Sequence, residues 1–338
     1  MSSCLAAQLW QQINFRPEKP FWIGRDNSYS YGDLARSIEH ACALFDRSNV
    51  DVGAILLIVK DDPWQAFVFW MAALLDGMIP ANLANDISDG RLAGVAKLAK
   101  PGMILVDEKR LAPFIKAGVD AEILSTAKPD NGSLGGVRRS PSLTVQADDT
   151  AYILFTSGTT SNPKGVVITH SSLQSQLETI ARVFEVTREA RLFNGLILHH
   201  VDGLVQGPVL VAFSGATLLR PDPFAVSRLE DDLIWLRDSR ATHMISVPSV
   251  YGMIDHLAAR DDYFDRTEFH AMLSTSARLD SALWGRLESR FHKPVINEYG
   301  MTETVAATHF AGPHAEMGER FTSAYPIRAS PGRYLPSE

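Results

Sequence analysis

Cysteine is scarce in this chain. Cys4 and Cys42 are the only two in 338 residues, too few and too far apart for a disulfide framework or a cysteine zinc site. Their scarcity points to a reducing, cytoplasmic setting. Basic runs are missing as well: 32 Lys and Arg stand against 39 Asp and Glu, giving a net charge of −7. Nucleic acid and anionic membrane surfaces are therefore excluded as general partners, and small molecules fit better. No run of about 18 apolar residues occurs, so no membrane span is expected. The longest apolar stretch, residues 66–75, reads as a buried helix. Residues 1–10 also lack the basic segment followed by an apolar one that marks a secretory signal.

What the sequence does have is apolar material for a large core. With 46% hydrophobic residues, this length suggests two α/β subdomains. Strand-length apolar runs alternate with longer amphipathic stretches, the pattern of mostly parallel sheets with helices on both faces. The first subdomain is assigned to residues 1–147, with strands at 54–59 and 102–106 and helices at 63–76 and about 89–100. Residues 125–149 are rich in Gly, Ser and Pro and aperiodic, which predicts a linker or surface loop at its end. The second is assigned to 148–320. Its predicted strands are 152–155, 166–168, 191–198, 217–219, 242–247, 270–274 and 294–297. Its predicted helices begin at His170 and cover 204–213, 227–239, 249–259 and 280–291. Residues 321–338 read as a tail, and within it 328–334 are polar and show no strand pattern.

Residues 153–165 concentrate hydroxyls, glycines and one lysine in a turn between two apolar runs. Gly158 and Gly165 let the backbone approach an anion, and Thr156, Ser157, Thr159, Thr160 and Ser161 offer hydroxyl donors. Lys164 adds a positive charge. A Walker A loop would end in Gly-Lys-Ser/Thr and open a helix, whereas here Pro163 precedes the lysine and the β-rich Val166-Val167-Ile168 follows it. The alternative is a polar hairpin that binds nothing, but so long an ordered string favours a phosphate cradle.

The same string resembles the AMP-binding signature of the adenylate-forming superfamily, which includes acyl-CoA synthetases, aryl-CoA ligases, luciferases and peptide-synthetase adenylation domains. Asn297-Glu298-Tyr299-Gly300-Met301-Thr302-Glu303-Thr304 resembles the second hallmark of that family, Tyr-Gly-x-Thr-Glu. Weaker similarity extends from residues 29–34 to about Tyr325. The resemblance implies ATP-dependent activation of a carboxylic acid to an acyl adenylate, with Mg²⁺ as cofactor and coenzyme A as acceptor. A carrier protein as acceptor, or a catalytically weak nucleotide-binding protein, are the other readings.

By that resemblance, residues 156–164 hold the β- and γ-phosphates. Asn297, Glu298, Tyr299, Gly300 and Thr302 complete the nucleotide set: Tyr299 packs on adenine, Asn297 bonds its edge and Thr302 contacts the α-phosphate. Glu303 is the implied Mg²⁺ ligand. Lys164, Thr302, Glu303 and a histidine make up the implied catalytic set. His199-His200-Val201-Asp202-Gly203-Leu204 resembles the segment in which a histidine or aromatic residue stands beside the acid pocket, and either His199 or His200 could fill the role. Amino-acid adenylation domains normally carry a Phe-Asp pair here, which this chain lacks. Asp202 is either a pocket wall or a turn residue before Gly203. The other implied pocket residues are Val247, Tyr251, Ser276 and Met301. Two departures stand out. Ser274-Thr275-Ser276-Ala277-Arg278-Leu279 is bulkier than the family's small turn, with Arg278 near adenine or simply solvated. The family's C-terminal domain, with its ribose-binding aspartate and catalytic lysine, has no counterpart, so the resemblance implies a truncated chain in which acid activation is incomplete.

Overall fold

The computed structural model describes residues 4–48, 50–119, 121–125, 138–156, 164–312 and 333–335. In chain order its strands are β1 (Pro20–Ile23), β2 (Ser28–Ser30), β3 (Ile55–Val59), β4 (Ile79–Asn82), β5 (Met103–Val106), β6 (Glu122–Ser125), β7 (Thr150–Thr156), β8 (Lys164–Thr169), β9 (Arg191–Asn194), β10 (Thr217–Leu219), β11 (His243–Ser246), β12 (Ala271–Ser274), β13 (Val295–Gly300), β14 (Ala307–Ala311) and β15 (Arg333–Tyr334). The chain divides into two α/β units. One comprises residues 1–17, 32–174 and 330–338, the other residues 18–31 and 175–329.

In the first unit, β4, β3, β5 and β6 form a parallel sheet. Its two central strands, β3 and β5, are continuous apolar runs, as expected where both faces are covered. The helix Pro63–Asp76 follows β3 because Asp62 caps it, its carboxylate accepting from the amides of Trp64 at 2.9 Å and Gln65 at 3.2 Å, while Pro63 fixes the first turn. Gly77, at φ 87°, ends it in the left-handed conformation that glycine adopts without strain. A second sheet has the order β15-β8-β7, antiparallel throughout. Ile153 of β7 packs with Leu57, Val59, Ile104 and Val106, which ties this hairpin to the first sheet.

The second unit is built on one sheet of order β14-β13-β12-β11-β9-β10-β1-β2. Six strands, from β13 to β1, run parallel, and an antiparallel strand flanks each side. Helix Ser281–Phe291 starts where the Asp280 carboxylate accepts from Ala282 N at 2.9 Å. It buries Trp284, Leu287 and Phe291 against Met272, Val295 and Ile254 of one core cluster.

Several elements depart from the sequence-based expectation. The division does not fall at residue 147: residues 148–174 belong with the first unit, through the β7–β8 hairpin, and residues 18–31 with the second, where β1 pairs with β10. The strand expected over 191–198 stops at Asn194, and that over 294–297 runs on to Gly300. The single helix expected at 204–213 is three pieces, Val201–Leu204, a π turn Val205–Val209 and Leu210–Ser214. Pro208 removes one amide, Gly207 leaves helical geometry, and Asn194 Nδ2 reaches in to the carbonyls of Asp202 at 3.0 Å and Gln206 at 3.3 Å. In the tail, Arg333 and Tyr334 pair with Val167 and Val166 of β8 after all. The free side of β8 offers a row of unpaired backbone groups, which outweighs the tail's weak strand pattern.

The expected linker is partly fixed. Residues 126–137 lie outside the described part, but Arg139 donates to the buried Asp76 carboxylate at 2.8 Å from Nη1 and also pairs with Asp46, while the Ser142 amide donates to Asp76 at 2.9 Å. Removing one partner of a buried pair strands the other charge, at a cost of roughly 3 kcal/mol. Arg139→Ala should therefore lower the urea midpoint of unfolding by an amount equivalent to about 3 kcal/mol, whereas Arg138→Ala, at a surface pair with Glu39, should change it by less than about 1 kcal/mol. Equal midpoints for the two variants would remove Arg139 as the anchor of this segment.

Candidate functional site

In a parallel sheet the carboxyl ends of the strands are where ligands bind. In the second unit, Ser246, Ser274 and Asn297 stand in one row across the ends of β11, β12 and β13, by the register Ser246↔Ser274 and Ser274↔Asn297. Side chains alternate along a strand, so Tyr299 shares a face with Asn297, and Glu298 points to the opposite face. The first face is open at its end: the Tyr299 side chain is 62% exposed, its ring 6.1 Å from His309 across the β13–β14 pair. Ser274 Oγ and Asn297 Oδ1 are buried and have no protein partner.

Residues 301–306 connect β13 to β14. Gly300 is required there, because a Cβ would lie 1.6 Å from the Ala306 carbonyl oxygen. Thr302–Thr304 form a single 3₁₀ turn, held by the Met301 amide donating to Thr304 Oγ1 at 3.1 Å. Thr302 and Glu303 are half-buried on this turn and Met301 is exposed. Val305 follows at φ 72°, a strained conformation for a β-branched residue, and its side chain is fully buried. Burial of that isopropyl group opposes relaxation of the strained backbone and so adds to the Met301–Thr304 bond.

On the opposite face a polar cluster is buried. Helix Val201–Leu204 starts immediately after His199 and His200, and Gly203 permits the close turn because a Cβ there would lie 2.1 Å from the Ile197 carbonyl oxygen. His200 is exposed, His199 half-buried, and their rings are 6.0 Å apart. Asp202 is buried, not a solvated turn residue. Its carboxylate accepts from the Ser276 hydroxyl and, at 3.4 Å, from Gln206 Nε2. The same Gln206 nitrogen donates to Glu298, which also accepts from the Thr275 hydroxyl. Glu298 is only 6% exposed. Burial, and then the neighbouring Asp202, push its carboxyl up to about 8. Glu298 therefore departs from the nucleotide set in which the sequence put it.

The remaining expected residues are distributed as follows. Val247 is half-buried at the start of helix Pro248–Leu257. Tyr251 lies in the core, its hydroxyl used by the carbonyls of Met244 at 2.8 Å and Leu273 at 3.0 Å. In the first unit, Thr156 and Lys164 face each other across β7 and β8, so the phosphate-loop string spans a hairpin. Lys164 is exposed, its Nζ 5.7 Å from the Tyr334 ring centre. Ser157, Gly158, Thr159, Thr160 and Ser161 lie outside the described residues. Gln206 and Asn194 were not anticipated, and Thr275 was expected only as part of the turn beside adenine, not as a partner of Glu298. Gln206 was within reach of the sequence, four residues beyond Asp202 on one helical face, but Thr275 meets Glu298 only through the pairing of β12 with β13.

The raised Glu298 carboxyl has a consequence for stability. Folded Glu298 keeps its proton to about pH 8, whereas the unfolded side chain loses it near 4.5. The folded state thus binds more protons between those values, and this contribution to stability is full below about 4.5 and lost as pH rises through 8. Glu298→Gln, which mimics the protonated form, should flatten that decline. Thermal melts of both proteins from pH 5 to 9 should converge at the acid end and diverge in favour of the variant at the alkaline end; parallel curves would mean that Glu298 is ionised throughout.

Comparison with known proteins agrees with this architecture. A probable CoA ligase, CCL9, from Humulus lupulus is 25% identical over 305 residues, covering 86% of this chain and 57% of the relative. An oxalate–CoA ligase from Arabidopsis thaliana is 33% identical over 200 residues, 59% of this chain and 37% of the relative. This chain thus spans little more than half, or less, of those relatives. Among solved structures, ATP-bound MatB from Rhodopseudomonas palustris superposes with a TM-score of 0.84 at 21% identity, over 99% of this chain and 68% of that one, a likeness of fold. The family model described as AMP-binding enzyme matches residues 9–331, and with nearly its whole length covered the chain belongs to the AMP-binding enzyme family.

Proposed function

We propose that this chain activates a carboxylic acid with ATP, forming an acyl adenylate and pyrophosphate, and that coenzyme A is the acceptor of the acyl group. The observation that carries the reading is the end of β13: a buried Asn297 Oδ1 with no protein partner, an exposed Tyr299 ring, and Thr302 and Glu303 on the turn that follows. These groups fit a nucleotide. The amide oxygen can accept from an adenine amine, the ring offers a face to stack on, and the turn supplies a hydroxyl and one carboxylate. Relatives named as CoA ligases support the choice of acceptor.

ATP, when bound, supplies the electrophilic α-phosphorus and the leaving pyrophosphate. The chain's own part is positioning and charge neutralisation. Lys164, with the hydroxyls of Thr156, Ser157, Thr159, Thr160 and Ser161 and the backbone at Gly158, would hold the terminal phosphates, and Thr302 the α-phosphate. Among the described residues no group of three or more His, Cys, Asp or Glu could hold a metal ion. A Mg²⁺ here would rest on Glu303 and phosphate oxygens, in keeping with its preference for few protein carboxylates. His199 or His200 would donate to a carboxylate or phosphate oxygen. Asp202, Val247, Ser276 and Met301 would line the acid pocket, whereas Tyr251, fully buried in the core, leaves the pocket set in which the sequence put it. Cys4 and Cys42 are both free, which suits a reducing cytoplasm, and among the described residues no helix is long and apolar enough to cross a membrane.

Exchange of labelled pyrophosphate into ATP, screened over aliphatic, aromatic and amino acids, tests the reading directly; ATP binding without exchange for any acid would refute it. Lys164→Ala and Glu303→Gln should each weaken MgATP binding roughly tenfold or more in calorimetric titration, the worth of one charge-assisted contact, with melting temperatures little changed. Unaltered affinity in both would remove their roles. Replacing the operative histidine, His199 or His200, with Ala should lower exchange at least tenfold while ATP affinity stays within about twofold. Undiminished exchange in both single variants would make the pair structural.

A further inference from the structure

The Asp202–Glu298 cluster holds more acceptors than donors. Two carboxylates and one carboxamide oxygen meet only the Thr275 and Ser276 hydroxyls and the Gln206 amide nitrogen. Among the described residues neither carboxylate has an ion-pair partner. Glu298 Oε2 is left without a hydrogen bond although the residue is 94% buried, and so is Gln206 Oε1 although Gln206 is completely buried. Gln206 is the independent observation. Its carboxamide is aimed into the cluster, since its nitrogen serves both carboxylates, and its oxygen is then one more acceptor with nothing to accept. Buried polar atoms in folded proteins nearly always have partners, and an exception calls for one. The proton that Glu298 keeps to about pH 8 offsets part of this surplus; a partner that takes the place of that proton must bring donors, no acceptors, and positive charge.

We propose that Asp202, Gln206 and Glu298 form a cation subsite through which this protein selects carboxylic acids that carry a free ammonium group. An ammonium brings three donors and no acceptor, matching the unfilled oxygens and the surplus negative charge. The cluster lies at the carboxyl ends of the parallel strands, and Ser276, which holds Asp202, is exposed and so marks the side from which a small molecule arrives. An amino acid can thus be recognised without the Phe-Asp pair, by carboxylates at other positions. The pair would repel a second carboxylate, so a dicarboxylic acid is disfavoured.

The inference rests on acid activation as proposed above, and the test separates the two. With the 338-residue chain and MgATP, pyrophosphate exchange and calorimetric affinity are measured for matched acids with and without an amine: 2-aminobutyrate and butyrate, β-alanine and propionate, 4-aminobenzoate and benzoate, with malonate beside them. At least one aliphatic amine-bearing acid should be preferred over its partner by a hundredfold or more, since a site built to bond an N–H group strongly rejects the analogue lacking it. Asp202→Asn and Glu298→Gln should each reduce that preference at least tenfold by weakening the amine-bearing acid alone. Ser276→Ala, at an exposed position that should not endanger folding, should reduce it severalfold. Exchange with butyrate, benzoate or malonate equal to or above that with every amino acid would overturn the inference and leave acid activation standing. Undiminished preference in all three variants would also overturn it, and the absence of exchange and binding with every acid would overturn both.

Discussion

Two carboxylates share one carboxamide inside the second unit, and much of the local backbone follows from that. Like charges in a poorly hydrated interior repel strongly, so Asp202 and Glu298 persist together because Glu298 holds its proton to about pH 8 and because Gln206, Thr275 and Ser276 each supply a donor. Gln206 sits in the π turn, where the helix departs from its regular path. Asn194 secures that departure by bonding the carbonyls of Asp202 and Gln206, and its own Oδ1 accepts from the Leu196 amide at 2.9 Å. The distortion, which from sequence looks like a defect around Gly207-Pro208, places a donor between two acids. π turns recur at functional sites for this kind of reason.

The other face of the same strands is organised differently. Ser246, Ser274 and Asn297 make a short row of small polar groups, and the β13–β14 connection carries Thr302 and Glu303 beyond it. Gly300 and Val305 bracket that connection with opposite devices. One omits a side chain so that the backbone can approach to contact, and the other accepts an unfavourable φ to keep its side chain in the core. Between them the turn has little freedom, which is the condition for presenting a hydroxyl and a carboxylate at a fixed distance from the strand.

Much of the fold was legible from periodicity and caps alone. Helix Pro63–Asp76 was bounded correctly because its signals are local: Asp62 and Pro63 at one end, Gly77 at the other. The core strands stood out as short apolar runs. The strand at Pro20–Ile23 and the helix Tyr31–Arg47 were missed, since the first is only four residues long and takes its place through pairing with β10, far along the chain. The two signature strings were legible as strings. Their geometry was not: strand β13 continues through Tyr299, so alternation, and not adjacency in sequence, decides which of Asn297, Glu298 and Tyr299 stand together. Gln206 escaped because glutamine carries no charge to attract notice, and the bond from Thr275 to Glu298 because it is made only across the sheet.

That alternation makes the hairpin a reading frame. From Val295 to Gly300 the odd-numbered positions supply one chemistry and the even-numbered Glu298 another, with a register shift between Tyr299 and Gly300 where the frame is released into the turn. Side chains in a strand exchange faces when the chain slips by one residue. A single inserted residue ahead of Asn297 would therefore do more than displace the loop: it would send a carboxylate to the face with the stacking ring and an aromatic ring into the acid cluster. Substitutions here can be graded in their effects, but changes of length cannot, so drift in this family member should be free to exchange the identities of these residues long before it can alter their number.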